Sequence, residues 1–315
     1  MIHSSRQLKD LVRNMSEKTG VEAHVLIRKY MMERFLERMS LSKYRDNFVL
    51  KGGLLVSAFV GTQVRTTMDI DTTIHGLSIS EKSMTQIIEE ICAIPLDDNV
   101  RFEVKNVSTI MDGAEYGGIR FSMEAFLDNS VTPLKIDIST GDIITPCEIL
   151  YSYKLMFEDQ DIAIMVYPIE TVLAEKIETV IARSTTNTRM RDFYDIHVLL
   201  NSPKQVINQA VLSRALTATS GKRGSIRLME NAENVLSALQ KSTFVQALWE
   251  RYQKKNTYAK NYSWEEIMMS AREVCLEAGL PVEKPSTQVK LNQSREAGDE
   301  NMECCHKKKK RERER

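Results

Sequence analysis

"FVLKGGLLVSAFVGTQVRTTMDIDTTIHG", Phe48 to Gly76, joins an apolar run ending on two glycines to a pair of aspartates around one isoleucine. Acidic side chains are disfavoured in strands, so Asp69 and Asp71 need a reason. The alternation of "MDIDTT" predicts a strand with both carboxylates on one face, ~7 Å apart along the backbone. Met68, Ile70 and Thr72 then point to the core. Two carboxylates on one face repel, and without a cation one is pushed toward protonation. Carboxylates are hard oxygen donors, and Mg²⁺ is commonly held by one or two of them together with substrate phosphates. The plain alternative is a pair of solvated aspartates on an amphipathic strand.

Working outward, "LKIDIST" repeats the pattern, with Asp137 between Ile136 and Ile138. A carboxylate in so apolar a run is costly unless paired or metal-bound. If this strand lies beside the first, Asp69, Asp71 and Asp137 converge and can hold divalent cations. Upstream, Gly52 and Gly53 allow backbone N–H groups close to an anion, and a helix starting at "LLVSAF" would aim its N-terminus at phosphate. Lys51 reads equally as a phosphate contact and as a solvated turn lysine.

The chain has 315 residues and 42% hydrophobic content, enough for one large domain or two modest ones. Its formal net charge is zero, but the last nine residues, "KKKKRERER", carry +5 and the other 306 carry −5. The global balance does not announce a nucleic-acid binder. Five scattered cysteines form no CxxC pair, which suits a reduced cytosol. The charged N-terminus lacks a signal core, and no run of about 18 apolar residues suggests a membrane span.

Residues 1–47 read as two helices, the first stopping at Gly20. Residues 48–150 read as an α+β core: a short strand into the glycine turn, a buried helix, the "MDIDTTIHG" strand, a helix capped by Ser80, then three strands. The turn signals between them are Asp112-Gly113, Gly117-Gly118 and Asp128-Asn129. From about residue 150 the pattern reads as mostly helical, to about 280. Residues 281–315 are polar, end in a charge run and read as a disordered basic tail. Cys304, Cys305 and His306 fall in that tail and are not read as a metal site.

The helical part carries its own polar signals. On "PIETVLAEKIETVIAR" the stripe Ile169, Leu173, Lys176, Val180 has helical period, so Lys176 lies among apolar residues. An inward lysine pairs with a phosphate or an active-site Asp, or else snorkels to the stripe's edge. In "RMRDFYDIHVLL", Phe193, Ile196 and Leu200 point inward, and Asp192 and Asp195 share a face. Either can orient Lys176 or bind a ribose, or they can be an acidic first turn. The preceding loop, with Arg183, Arg189 and Arg191, reads evenly as an RNA contact or a solvated loop.

Together "LERMSLSKYRDNFVLKGG", "VRTTMDIDTT", "LKIDIS", "VLAEKIETVIARS" and "RMRDFYDIHVLL" resemble the nucleotidyltransferase superfamily, and within it the AbiEii/AbiGii toxin family of abortive-infection and toxin–antitoxin systems. The resemblance spans roughly residues 20 to 200. It implies a mixed-sheet nucleotidyltransferase core with an N-terminal helical segment and a helical C-terminal region. It implies metal-binding acids at Asp69, Asp71 and Asp137, with Lys176 and an aspartate of "RDFYD", Asp192 ahead of Asp195, as further catalytic groups. Arg65 matches a family position, either gripping a γ-phosphate or pairing with Asp69. The implied activity is Mg²⁺-dependent (or Mn²⁺-dependent) transfer of a nucleotide from an NTP to a target, with tRNA as the expected acceptor. A separate antitoxin is the implied partner, and the cytoplasm the expected location. One departure stands out: the family usually has Ser or Thr after the two glycines, and this chain has Leu54. Ser57, one turn later, either substitutes or bonds its own helix. That departure motivates a rival of another class, a catalytically weak member that binds nucleotide or a partner protein. Transfer to a protein hydroxyl is the third reading.

Overall fold

The computed structural model describes residues 2–77, 80–110, 117–203 and 205–283. In chain order the elements are α1 (Ser5–Thr19), α2 (Ala23–Leu41), β1 (Phe48–Lys51), α3 (Gly52–Val60), β2 (Ile70–Ile74), α4 (Glu81–Cys92), β3 (Val100–Ile110), β4 (Gly118–Leu127), β5 (Ser130–Thr140), β6 (Ile149–Lys154), β7 (Asp161–Val166), α5 (Ile169–Arg183) and α6 (Met190–Leu200). The C-terminal helices follow: α7 (Gln209–Lys222), α8 (Ile226–Met229), α9 (Ala232–Lys241), α10 (Thr243–Lys255) and α11 (Trp264–Glu277). The charged tail, with Cys304, Cys305 and His306, and the Asp112-Gly113 turn signal lie outside the described residues.

Local chemistry accounts for the ends of several elements. Ser4 caps α1 by accepting from the Gln7 amide, and Gly20 ends it in the left-handed region at φ 70°. Ser80 and Ser83 form a reciprocal capping box on α4. Asp128, with φ 50°, lies in the tight connection between β4 and β5.

One mixed sheet of seven strands, in the order β3-β4-β5-β2-β1-β7-β6, organises the chain. β3, β4 and β5 form an antiparallel meander, β2 runs parallel to β5, and β1 runs antiparallel to β2 and parallel to β7. The expectation of helix from about residue 150 onward misses the β6–β7 hairpin, which carries the sheet on to Val166. Neither strand announces itself: β6 is an edge strand with exposed Ile149 and Leu150, and β7 is six residues long.

The face bearing Leu50, Ile70, Ile136, Ile138 and Phe121 is buried, with α2 and α4 packed on it. Each such side chain contributes about 1.5–3 kcal/mol before entropy. α2 is buried on nearly all sides, its charged residues included. Arg38 forks onto Asp98 with two bonds of 2.8 Å, and Glu33 accepts from the Met156 amide at 2.9 Å. The charges between its apolar positions therefore look inward: Glu33 meets the β6–β7 hairpin through Tyr153 and Met156, and Arg38 meets Asp98 and the start of β3 at the other end of the sheet.

Candidate active site

The opposite sheet face carries the acids, and strand register decides their neighbours. Lys51 on β1 sits opposite Asp71 on β2, Asp71 beside Asp137 on β5, and Asp137 opposite Arg120 on β4. Because residues in register share a face, one cross-strand row reads Lys51, Asp71, Asp137, Arg120, with charges plus, minus, minus, plus. Asp69 is half-buried and immediately precedes β2.

The diglycine turn is fitted to this row. Gly52 opens α3 with φ +67°, and a Cβ there would lie 2.1 Å from Asp71 Oδ2. A Cβ on Gly53 would lie 2.7 Å from Thr67 Oγ1 and 3.1 Å from Arg65 Nη2. Only glycine combines that backbone with such close approach. Burial pushes the Asp71 carboxyl above the usual carboxylate range, and Asp137 and Asp69 push the same way, while Lys51 and the Gly53 amide oppose them. The diglycine turn thus sets the head of α3 directly against the Asp71 carboxylate.

Lys51 is not a solvated turn lysine. Its Nζ lies 2.5 Å from Asp142 Oδ2 and 2.8 Å from Ser139 Oγ. Ser139 Oγ and the Tyr167 hydroxyl also donate to Asp142, at 2.7 and 3.0 Å. Burial works against ionised Asp142, but Lys51, Ser139 and Tyr167 outweigh it and hold the carboxyl at about 2. Arg120 forks onto Asp137, Nε to Oδ1 at 2.7 Å and Nη2 to Oδ2 at 2.6 Å. Among the described residues, no group of three or more His, Cys, Asp or Glu is gathered closely enough to hold a metal ion. Asp71 and Asp137 are neighbours in register, with the Asp137 carboxylate engaged by Arg120.

A second, buried network joins the sheet region to the helices. Lys176 Nζ on α5 donates to Asp192 Oδ1 at 3.0 Å and Asp195 Oδ2 at 2.7 Å, both on α6. Arg65 donates from Nε to Asp195 Oδ1 at 2.6 Å. Arg65 therefore pairs with Asp195, not with Asp69, because α6 packs on α3 beside the loop that carries it. Burial opposes the charge on Lys176, but Asp195 and Asp192 outweigh it and raise its pKa. Arg189 also pairs with Asp192 at 3.0 Å, while Arg183 and Arg191 are exposed. Leu54 is fully buried in α3 and Ser57 is nearly so.

Sequence reasoning missed Arg120, Ser139, Asp142 and Tyr167. Strand alternation in "GIRFSMEAFL" puts Arg120 on the polar face, but its partner depends on β4–β5 register. Asp142 sits just after Gly141, which has φ 75°, and nothing local ties it to Lys51, 91 positions earlier.

A mixed sheet with an acid-bearing row beside a glycine-led helix, followed by a helical C-terminal part, is a nucleotidyltransferase-like α+β fold. The profile of the nucleotidyl transferase AbiEii toxin family, a type IV toxin–antitoxin system, matches residues 34–270, and the chain belongs to that family. Among solved structures, JHP933 from Helicobacter pylori is similar at 16% identity with a TM-score of 0.48, over 87% of this chain and 99% of that one. An antigenic nucleotidyltransferase-like protein from Paracoccidioides brasiliensis is similar at 16% identity with a TM-score of 0.33, over 78% of this chain and 98% of that one. No curated protein matches the chain. Among the described residues no helix is long and apolar enough to cross a membrane.

Proposed function

We propose that this family member transfers a nucleotide from an NTP to a hydroxyl of an RNA acceptor, with tRNA as the acceptor class, and acts as a cytoplasmic toxin restrained by a separate antitoxin. The observation that carries the reading is the side-by-side register of Asp71 and Asp137, flanked by Lys51 and Arg120. Two carboxylates side by side at partly buried positions are an oxygen-only donor set of the kind that suits a hard divalent cation. Asp71 and Asp137, with Asp69 just ahead of β2, are the residues that would hold Mg²⁺ or Mn²⁺ together with the substrate's phosphates. When bound, such a cation supplies charge neutralisation on the triphosphate and at the attacking oxygen.

The chain's own residues do the rest. The amino end of α3, opened by Gly52 and Gly53, favours the triphosphate through its amides and dipole. Lys51, pinned by Asp142 and Ser139, adds a fixed positive charge on that side. Asp137 helps take the acceptor's proton as its oxygen bonds to the α-phosphorus and the bond to the β-phosphate oxygen breaks. Pyrophosphate leaves. Lys176, Asp192, Asp195 and Arg65 hold the helical part against the loop ahead of β2, so positioning and electrostatics carry the rate.

The test is incubation with each α-labelled NTP and a total cell extract, followed by separation with RNase and protease controls. Label in an RNase-sensitive band, lost with Asp69→Ala, is expected. A protease-sensitive band instead would move the acceptor to a protein hydroxyl. Buried Leu54 in place of a hydroxyl residue favours a second reading, a nucleotide binder of low activity. A thermal shift with NTP and Mg²⁺, without label transfer to any band, would select it.

A further inference from the structure

The ion pairs of the site differ in how firmly they are enclosed. The side chains of Arg65 and Asp195 are 2% and 0% exposed, and those of Lys176 and Asp195 12% and 0%. Such pairs are locked, because opening them strands a buried charge. Arg120 and Asp137 have the two-pronged geometry of a strong pair, yet the Arg120 side chain is 42% exposed and that of Asp137 22%. A guanidinium so placed returns to water at little cost. Its two bonds are the side-chain hydrogen bonds that the Asp137 carboxylate makes among the described residues. Arg120 also lies on the side of Asp137 away from β1, Lys51 and the diglycine turn. On that side β5 leads away with Lys135 exposed.

We infer that Arg120 is an exchangeable counter-ion: it neutralises Asp137 while no divalent cation is bound, yields the carboxylate when one arrives, and turns to a backbone phosphate of the acceptor strand. The first half concerns only this chain and the cation. The second half rests on the RNA-acceptor reading above. Arg120 acts as a positioning residue toward the cation and as a binding residue toward the acceptor. The exchange makes occupancy of Asp137 by the cation and grip on the acceptor one linked event.

The test is a Mn²⁺ titration of nucleotide-free protein, read by the electron paramagnetic resonance of free Mn²⁺, in wild type, Arg120→Gln and Arg120→Lys. Removing the competing guanidinium should tighten Mn²⁺ binding roughly two- to fivefold in R120Q. R120K, which keeps the charge but loses the fork, should fall between. Equal or weaker Mn²⁺ binding by R120Q, at an unchanged melting temperature, overturns the exchange. Should R120Q not fold, R120K binding no more tightly than wild type does the same. A second arm measures binding of bulk tRNA with Mn²⁺ present. Wild type should bind more tightly than R120Q, and equal affinity removes the acceptor half. Failure of label transfer in every extract would end the RNA-transfer reading while leaving the Mn²⁺ result standing, so the two failures are distinguishable.

Discussion

Asp195→Ala tests the buried charge network most directly. The Asp195 side chain is fully buried, 2.6 Å from Arg65 Nε and 2.7 Å from Lys176 Nζ. Without its carboxylate, Arg65 keeps only the Thr66 carbonyl, while Lys176 keeps Asp192 at 3.0 Å. Stripping one partner from a buried pair costs about 3–5 kcal/mol, because an uncompensated charge remains. Lys176→Met should cost less, about 1–3 kcal/mol, since Asp195 retains Arg65 and Asp192 retains Arg189. Urea unfolding followed by tryptophan fluorescence reads the effect locally, because Trp264 packs on Phe193 of the same helix α6. The larger loss corresponds to a fall in Tm on the order of 6–15 °C.

The pH dependence has a definite sign. Burial alone would raise the Asp195 pKa, but Lys176 and Arg65 outweigh it and hold the carboxyl below its ordinary range. Its stabilisation is therefore complete above the unfolded-state value of about 3.9 and is lost as pH falls through the lowered folded value. The gap between wild type and D195A should narrow only below about pH 4. A Lys176→Met protein less stable than D195A, or D195A melting within about 2 °C of wild type, would refute the reasoning.

Three further outcomes are expected. Gly52→Ala should lower stability by about 1–3 kcal/mol and abolish transfer, because the backbone at φ +67° disfavours a side chain and the new methyl would drive Asp71 aside; an unchanged melt with wild-type transfer would contradict the fitted turn. Asp71→Asn removes one of two neighbouring carboxylates, so its unfolding stability should match or slightly exceed wild type, by about 0–1 kcal/mol, while labelled transfer disappears; a strongly destabilised D71N would mean the carboxylate serves the fold. Asp142→Asn should lose roughly 2 kcal/mol at pH 7, with the difference closing between about pH 4 and pH 2 as the wild-type carboxyl, held at about 2, takes up its proton; a pH-independent difference would point to packing instead.

Much of the arrangement was legible in residue spacing. Two-residue alternation marked Asp71 and Asp137 as lying on the polar face of apolar strands, and helical spacing put Asp192 and Asp195 together on one side of α6. Those are local properties, fixed by backbone periods that need no knowledge of neighbours. The inward direction of Lys176 also followed from its place in an apolar stripe. The glycine pair announced a tight turn, although not which side chain would press against it.

What only the tertiary structure decided is partnership. Arg65 pairs with Asp195 across 130 positions, Lys51 with Asp142 across 91, and Arg38 with Asp98 across 60. Those distances depend on which strands lie side by side and in what register. The same holds for the β6–β7 hairpin, whose short strands become legible once β7 is seen beside β1. Sequence alone determined which residues are polar in apolar surroundings and therefore need a partner. Packing chose the partner, because a buried charge is stabilised by whichever opposite charge the fold brings within hydrogen-bonding distance, and chain separation does not enter that energy.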